Sequence, residues 1–387
     1  MKFLEQSFTV KFSYKVVFTS GLFHPTNNDF NDFLINHRES GSHQKILFLV
    51  DEGVVRTHPE LIPQIREYFK INNSISLVEN ILVLPGGEVA KNNKNHLNSI
   101  IQAIDSNGID RQSYVAAIGG GSILDLAGYA AAIAHRGIRH IRIPTTVLSQ
   151  NDSGIGVKNG VNYKGKKNFL GTFVPPFGVF NDDTFLSTLD ERNWRSGISE
   201  AIKVALIKDA DFFYWIEEKA EKLIARDKEI MNELIHRCAA LHLQHIASGD
   251  SFEFGSSRPL DFGHWSAHKL EQLTNFQVLH GEAVAMGIAL DTIYSAESGR
   301  LNMDKAIRVI HLLLKLGFDI THPLMQFENG NNEVLQGLQE FREHLGGRLT
   351  IMLLKDIGLG EEVHEMDTSL LLKASDFLRS HDYEISA

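Results

Sequence analysis

From Gln44 to about Asp183, short runs of apolar and β-branched residues alternate with stretches of helical periodicity. KILFLVD (45–51) predicts a buried strand, and HPELIPQIREYF (58–69) predicts a helix. ILVLPGGE (81–88) reads as a strand entering a turn, and HLNSIIQAIDSNG (96–108) as a helix stopped by glycine. SYVAAIGGGSILDLAGYAAAIA predicts strand, glycine turn and buried helix; HIRIPTT predicts another strand ending in a turn. Such alternation calls for a parallel sheet covered on both faces, an α/β domain of nucleotide-binding type. At the N-terminus, MKFLEQSFTVKFSYKVVF alternates apolar and polar residues as a strand does.

Beyond about residue 184 the pattern changes. Segments 197–225, 228–248, 262–274, 281–298 and 303–316 carry helical periodicity, and strand candidates nearly vanish. The expected organisation is an α/β domain over 1–184 and a mainly α-helical domain over 185–387. FENGNNEV (327–334) reads as a loop, and GRLTIMLLKDIG (347–358) as a late strand or hairpin.

Composition narrows the function classes. The 387 residues are 43% hydrophobic and 22% charged, enough apolar material for two cores and too much for a disordered chain. With 38 basic against 48 acidic side chains the net charge is −10, which argues against a nucleic-acid or anionic-membrane surface. A soluble enzyme handling small molecules fits. Cys238 is alone, so no intrachain disulfide forms, and a reducing, cytoplasmic compartment is expected. Its helical, half-apolar surroundings predict an inert packed thiol. The N-terminus lacks the apolar block of a signal peptide. The apolar stretch Tyr114–Ala134 is interrupted by Asp125 and four glycines, so it reads as strand, turn and helix rather than a membrane span.

Three regions carry candidate chemistry. Gly119-Gly120-Gly121 lies between a strand and a helix, where side-chain-free backbone and a helix N-terminus suit a phosphate. It is not the GxGxxG fingerprint, but a second turn, Gly86-Gly87-Glu88 with Lys91, also follows a strand, which favours a nucleotide crevice. Residues 144–171 gather Asp152, Lys158, Asn162, Lys166, Lys167 and Asn168 among five glycines. A solvated loop would explain the polarity. The interspersed Val147, Leu148, Ile155, Val157 and Phe169 favour a grip on an anionic, hydroxylated ligand instead. Finally, His264 and His268 share one helix face, His280 opens an apolar helix, and Glu200 has Lys203 one turn on. One carboxylate and two imidazoles would leave open positions on a catalytic divalent metal; spacing alone leaves a solvated helix face equally open.

At these residues the chain resembles the sugar phosphate cyclases, the superfamily of 3-dehydroquinate synthase, which shares its fold with glycerol and iron-containing alcohol dehydrogenases. IGGGSILDLAGYAAAIAHRGI, IPTTVLSQNDSGIGVKNGVN, GKKNFLG, GISEAIK, LDFGHWSAHKLE and VLHGEAVAMGI each match a family block, in order, over roughly residues 45–300. The resemblance implies an NAD-binding α/β domain followed by a helical metal-binding domain. It implies a metal, Zn²⁺ or Co²⁺, on Glu200, His264 and His280. NAD would be held at Asp51, Glu88, Lys91, Gly120, Gly121, Asp125, Thr145, Thr146 and Lys167. Asp152, Lys158, Lys203, Asn168, Asp261 and His268 fall where the sugar and its leaving phosphate are handled. Arg136 matches a phosphate-contacting arginine supplied by a neighbouring subunit, which implies a homodimer.

Departures from the family pattern bear on the substrate. A dehydroquinate synthase has asparagine where Asp261 stands. Its nearby arginine falls on Ser257 with Arg258 beside it, and an upstream lysine falls near His242 or Leu243. A late lysine falls near Asp356, with Lys355 beside it. An added carboxylate disfavours an acidic substrate. RPLDFGH looks more like cyclases of sedoheptulose 7-phosphate such as 2-epi-5-epi-valiolone synthase, which lack a histidine at His268. The mixture most resembles the cyclase homologue of the ebo-type gene clusters. The implied activity is NAD- and metal-dependent conversion of a seven-carbon ketose phosphate to a carbocycle with loss of phosphate, a carbon–oxygen lyase reaction. Two rivals are a metal- and NAD-dependent polyol dehydrogenase, which would have no need of the Lys158 and GKKN grip, and a non-catalytic paralogue.

Overall fold

The structure is a computed structural model, and it describes residues 2–38, 43–164, 166–253, 259–327, 332–344 and 347–386. It divides into two compact units: Met1–Gly86, Ala90–Pro144 and Val157–Asp182 form the first; Gly87–Val89, Thr145–Gly156 and Asp183–Ala387 form the second.

The first unit is built on seven strands, β1 (Val16–Thr19), β2 (Lys45–Asp51), β3 (Ser76–Leu77), β4 (Leu82–Leu84), β5 (Tyr114–Gly119), β6 (Arg139–Pro144) and β9 (Gly178–Asp182). They run in the order β1-β9-β6-β5-β2-β3, with β4 also on β2, and every pair is parallel. Its helices are α1 (Asp29–Asn36), α2 (Glu52–Thr57), α3 (Leu61–Ile71), α4 (Lys94–Ser106) and α5 (Gly121–Ile133). Strand β5 is buried at all six positions, as expected for a central strand covered on both faces. One face packs under α4 and α5 through Leu47, Ile104, Val115, Leu126 and Ala130. The aromatic residues Phe23, Phe30, Phe48, Tyr68, Phe69 and Phe180 also pack together, with Phe30 and Phe180 edge-to-face at 5.0 Å. The hairpin β7 (Lys158–Tyr163) and β8 (Lys166–Phe173) forms a separate two-stranded sheet. Gly128 of α5 lets the hairpin close on the helix, because a Cβ there would overlap the Asn159 carboxamide and crowd His140.

The second unit is mainly helical, and it also takes in Gly87–Val89 and Thr145–Gly156, which lie ahead of residue 184. It contains α6 (Glu191–Lys208), α7 (Ala210–Ile224), α8 (Lys228–Ala247), α9 (His264–Leu273), α10 (His280–Glu297), α11 (Met303–Lys315), α12 (Gln336–His344) and α13 (Thr368–Ser386). The late strand region is an antiparallel hairpin, β10 (Ile351–Asp356) and β11 (Leu359–Val363). The periodicity over 197–225 is two helices: Asp209 ends α6 and caps α7 by accepting from the Phe212 amide. Helix α10 is buried along nearly its whole length and lies at the centre of the apolar core. The N-terminal strand is shorter than its alternation predicts; residues 2–15 carry no helix or strand and only Val16–Thr19 pairs. Among the described residues, no helix is long and apolar enough to cross a membrane.

Candidate active-site residues

In the second unit, α6, α9 and α10 bring their functional side chains together. Glu200 is fully buried on α6, and Lys203, one turn on, is 3% exposed and ion-paired with it. His264 opens α9 and His280 opens α10; their Nε2 atoms lie 3.5 and 3.4 Å from Glu200 Oε1. Each ring is oriented from its other nitrogen: His264 Nδ1 is 3.0 Å from the Phe262 carbonyl, and His280 Nδ1 is 3.0 Å from the buried Glu271 carboxylate. His268, one turn along α9, stacks on His280 with ring centroids 5.7 Å apart. Ligand atoms of His264, His268 and His280 all lie within 4.8 Å of one another.

The fit to a metal is visible in Glu200. Both of its oxygens are buried without a hydrogen bond of ordinary geometry, although a lysine and two imidazoles face them. A buried carboxylate whose cation and imidazoles face it outside hydrogen-bond geometry has its oxygens placed to coordinate a metal ion among those same groups. A carboxylate and imidazole nitrogens turned inward by second partners suit Zn²⁺ or Co²⁺. Glycines make the approach possible: a Cβ on Gly281 would overlap the Ser196 carbonyl of α6, and one on Gly287 would overlap the Gly263 carbonyl ahead of α9.

Charge in this centre is tightly balanced. Burial acts to raise the Glu200 carboxyl, but Lys203 and then His264 hold it well below its ordinary value. Burial pulls the Lys203 ammonium down, and the Glu200 and Asp152 carboxylates more than reverse this, with Asp261 adding to them. Asp152 sits 2.9 Å from His242 Nδ1 and is held low, burial and Glu200 being outweighed by Lys203 and His242. Cys238 is buried, and burial, Asp152 and Glu200 push its thiol well above the ordinary range, as an inert thiol requires. Thr145 is buried and Thr146 bonds the Ser149 hydroxyl at 2.9 Å, while Glu88 is half-buried. Arg258 lies outside the described residues.

The first unit carries the glycine turns. Gly120 caps α5 without a side chain, which leaves the helix N-terminus open to an anion. Asp51 ends β2, accepts from the Gly53 amide and is raised mainly by burial. Its carboxylate occupies the space a Cβ on Gly86 would need. Lys91 is buried on a short 3₁₀ turn and donates to Asp125 at 2.8 Å and to the Asn168 side chain. This ties the first turn, α5 and the hairpin, so Lys91 organises the residues expected around NAD. Asn168 has a left-handed φ of 52° and its amide donates to Asn162 at 2.8 Å. Lys158 is exposed at the start of β7, and Lys167 is half-buried in β8. Arg136 is exposed on a turn in which His135, Arg136 and Gly137 all have positive φ.

Sequence reasoning missed Glu271 and the Asp291 carboxyl, which accepts from Trp265 Nε1 and the Gly263 amide on the core side of α9. Glu271 had a signal, since it follows His268 by three positions on the same helix face.

The chain matches the family models described as 3-dehydroquinate synthase N-terminal, over residues 81–196, and 3-dehydroquinate synthase C-terminal, over residues 197–338. It is 35% identical over 293 residues to a 3-dehydroquinate synthase of Acinetobacter baumannii, covering 76% of this chain and 80% of that one. It is 34% identical over 343 residues to that of Dictyoglomus thermophilum, covering 88% and 91%. Among solved structures it is similar to a 2-epi-5-epi-valiolone synthase from Streptomyces hygroscopicus with NAD+ and Zn2+ bound, at 28% identity and TM-score 0.87, covering 98% and 100%. A 2-deoxy-scyllo-inosose synthase complexed with carbaglucose-6-phosphate, NAD+ and Co2+ shares the fold, at 22% identity and TM-score 0.74, covering 93% and 95%.

Proposed function

This chain belongs to the 3-dehydroquinate synthase family, and on that premise we propose that it is a sugar phosphate cyclase using NAD and a divalent metal. Its substrate would be a seven-carbon ketose phosphate, converted to a carbocycle with loss of phosphate. The observation that carries the reading is the buried Glu200, ion-paired with Lys203, with its carboxylate facing the inward-turned His264 and His280.

Glu200, His264 and His280 would hold the metal, and the open turn before α5 with Asp51, Asp125 and Lys91 would hold NAD. When bound, NAD supplies a reversible hydride acceptor and the metal a Lewis acid for the alcohol being oxidised. Lys203, kept charged in a dry setting, stabilises negative charge developing on substrate oxygen. A ketone acidifies the adjacent C–H, and loss of that proton lets phosphate leave by β-elimination. His268, whose ring nitrogen lies within 4.8 Å of those of His264 and His280, would carry the proton. Lys158, Lys167, Asn168 and a neighbouring subunit's Arg136 supply cationic and amide groups suited to the phosphate. Release of phosphate without net NADH separates this reaction from a dehydrogenase.

The carboxylates favour a substrate without one of its own. Asp152, Glu200 and Asp261 all act on Lys203, so a further carboxylate would meet like charge. We therefore favour sedoheptulose 7-phosphate over 3-deoxy-D-arabino-heptulosonate 7-phosphate. The test is phosphate release from Zn²⁺- or Co²⁺-loaded protein with NAD, offered each sugar in turn. Faster release from the acidic sugar would overturn the preference; net NADH formation without phosphate would overturn the cyclase reading.

A further inference from the structure

We propose that Asp291 is a positioning residue for the metal centre, a carboxylate on α10 that clamps the first turn of α9 and so aims His264. The inference rests on the reading of His264 as a metal ligand. Asp291 is fully buried, on a helix whose neighbouring Ile288, Ala289, Leu290 and Ile293 belong to the apolar core. A carboxylate is costly in such a place unless its oxygens are bonded, so the groups it bonds show its use. Its Oδ2 accepts from the Gly263 amide at 3.0 Å, and its Oδ1 accepts from Trp265 Nε1 at 2.9 Å. Those two residues stand immediately before and after His264.

The start of α9 supplies no cap of its own. Its N-cap is Gly263, which holds a left-handed φ of 75° and has no side chain to tie down the first turn. A Cβ there would come 2.7 Å from the Ile288 nitrogen, so this backbone rests directly on α10. Asp291 lies one turn beyond Gly287 on the same face of α10, where it meets that backbone. The turn that carries His280 is tied by two other side chains. Glu282 accepts from the Leu279 amide at 2.9 Å, and the Ser196 hydroxyl accepts from the Gly281 amide at 3.1 Å. Asp291 does the same for His264 with its two oxygens.

Held at the backbone before the ligand and at the side chain after it, the start of α9 resists pivoting. The Phe262 carbonyl, 3.0 Å from His264 Nδ1, orients the ring, and Asp291 orients the backbone that bears it. Together they keep Nε2 3.5 Å from Glu200 Oε1.

Titration of the full chain with Co²⁺, followed by visible absorption, tests this. Asp291→Asn keeps the size of the side chain but turns an NH2 group towards one of the two N–H donors. Co²⁺ affinity of D291N should fall about 10–100-fold, and its absorption band should change in position or intensity as His264 shifts. Trp265→Phe keeps an aromatic ring in the core and removes one donor; its loss should be about three- to tenfold. In the double variant the asparagine oxygen is free to accept from the Gly263 amide. It should therefore bind Co²⁺ at least about threefold more tightly than D291N alone. A packing defect would lower the Tm without giving either the altered band or this rescue. D291N and W265F both within about twofold of the parent, with the parent's spectrum, would overturn the clamp, as would a double variant weaker than D291N. A parent that binds no Co²⁺ would overturn the metal assignment, and this inference with it.

Discussion

His280 Nδ1 stands 3.0 Å from Glu271 Oε2, and the opposite nitrogen of the same ring stands 3.4 Å from Glu200 Oε1. One imidazole is thus held between two buried carboxylates, one that aims it and one that shares its inward face. Replacing Glu271 with alanine should weaken Zn²⁺ or Co²⁺ affinity about 10–100-fold, the usual effect of losing the group behind a ligating histidine. Chelator competition reads this directly, and turnover should return at high metal concentration. Unchanged metal affinity in E271A would remove the aiming role.

A second prediction concerns the ligands themselves. His264→Ala should abolish metal binding and turnover while the far-ultraviolet circular dichroism stays unchanged. Retained full activity in that variant would sink the metal assignment.

Lys203 behaves differently, because it balances Glu200 within the protein. In the metal-free chain, Lys203→Met should cost about 3–5 kcal/mol, the penalty for leaving a buried charge alone. Added Zn²⁺ should recover part of that loss by taking over the carboxylate. Thermal melts with and without metal decide it; a Tm loss indifferent to Zn²⁺ would mean that Lys203 acts only through packing.

Much of this was legible in the chain. The two glycine turns, the parallel sheet and the helical second half follow from spacing and periodicity. The imidazoles and Glu200 stood out because they recur among ordered motifs. Where sequence reading fell short, local signals were weak. Gly160, Gly171 and four lysines disguised the β7–β8 hairpin as a loop, since its strands are stabilised by each other and by α5. The split at Asp209 was hidden by apolar periodicity that continues through both helices. Glu271 shares a helix face with His268, but its burial, and so its role behind His280, comes only from the packing of α9 on α10.

Acid should destabilise the first unit through His140. Its ring is buried, neither nitrogen has a hydrogen-bond partner among the described residues, and burial followed by Arg142 lowers its pKa well below the usual 6.5. The unfolded chain binds a proton below pH 6.5 that the folded chain refuses. Stability is therefore intact above pH 6.5 and falls below it, by up to about 1.4 kcal/mol per pH unit. Urea denaturation at pH 7.5 and 5.0 should show a smaller loss in His140→Leu than in the parent. Identical losses would assign the acid sensitivity elsewhere.

Parallel topology also has a consequence during synthesis. The amides of Gly21 and Leu22 donate to Asp182, 161 and 160 positions further on, and among the described residues β1 pairs only with β9. The earliest strand made is therefore among the last to be docked. At ordinary translation speeds of about 5–20 residues per second, the nascent chain carries that apolar segment unpaired for roughly 10–30 seconds. Through that interval it stays within reach of ribosome-associated chaperones and of neighbouring nascent chains on the same polysome.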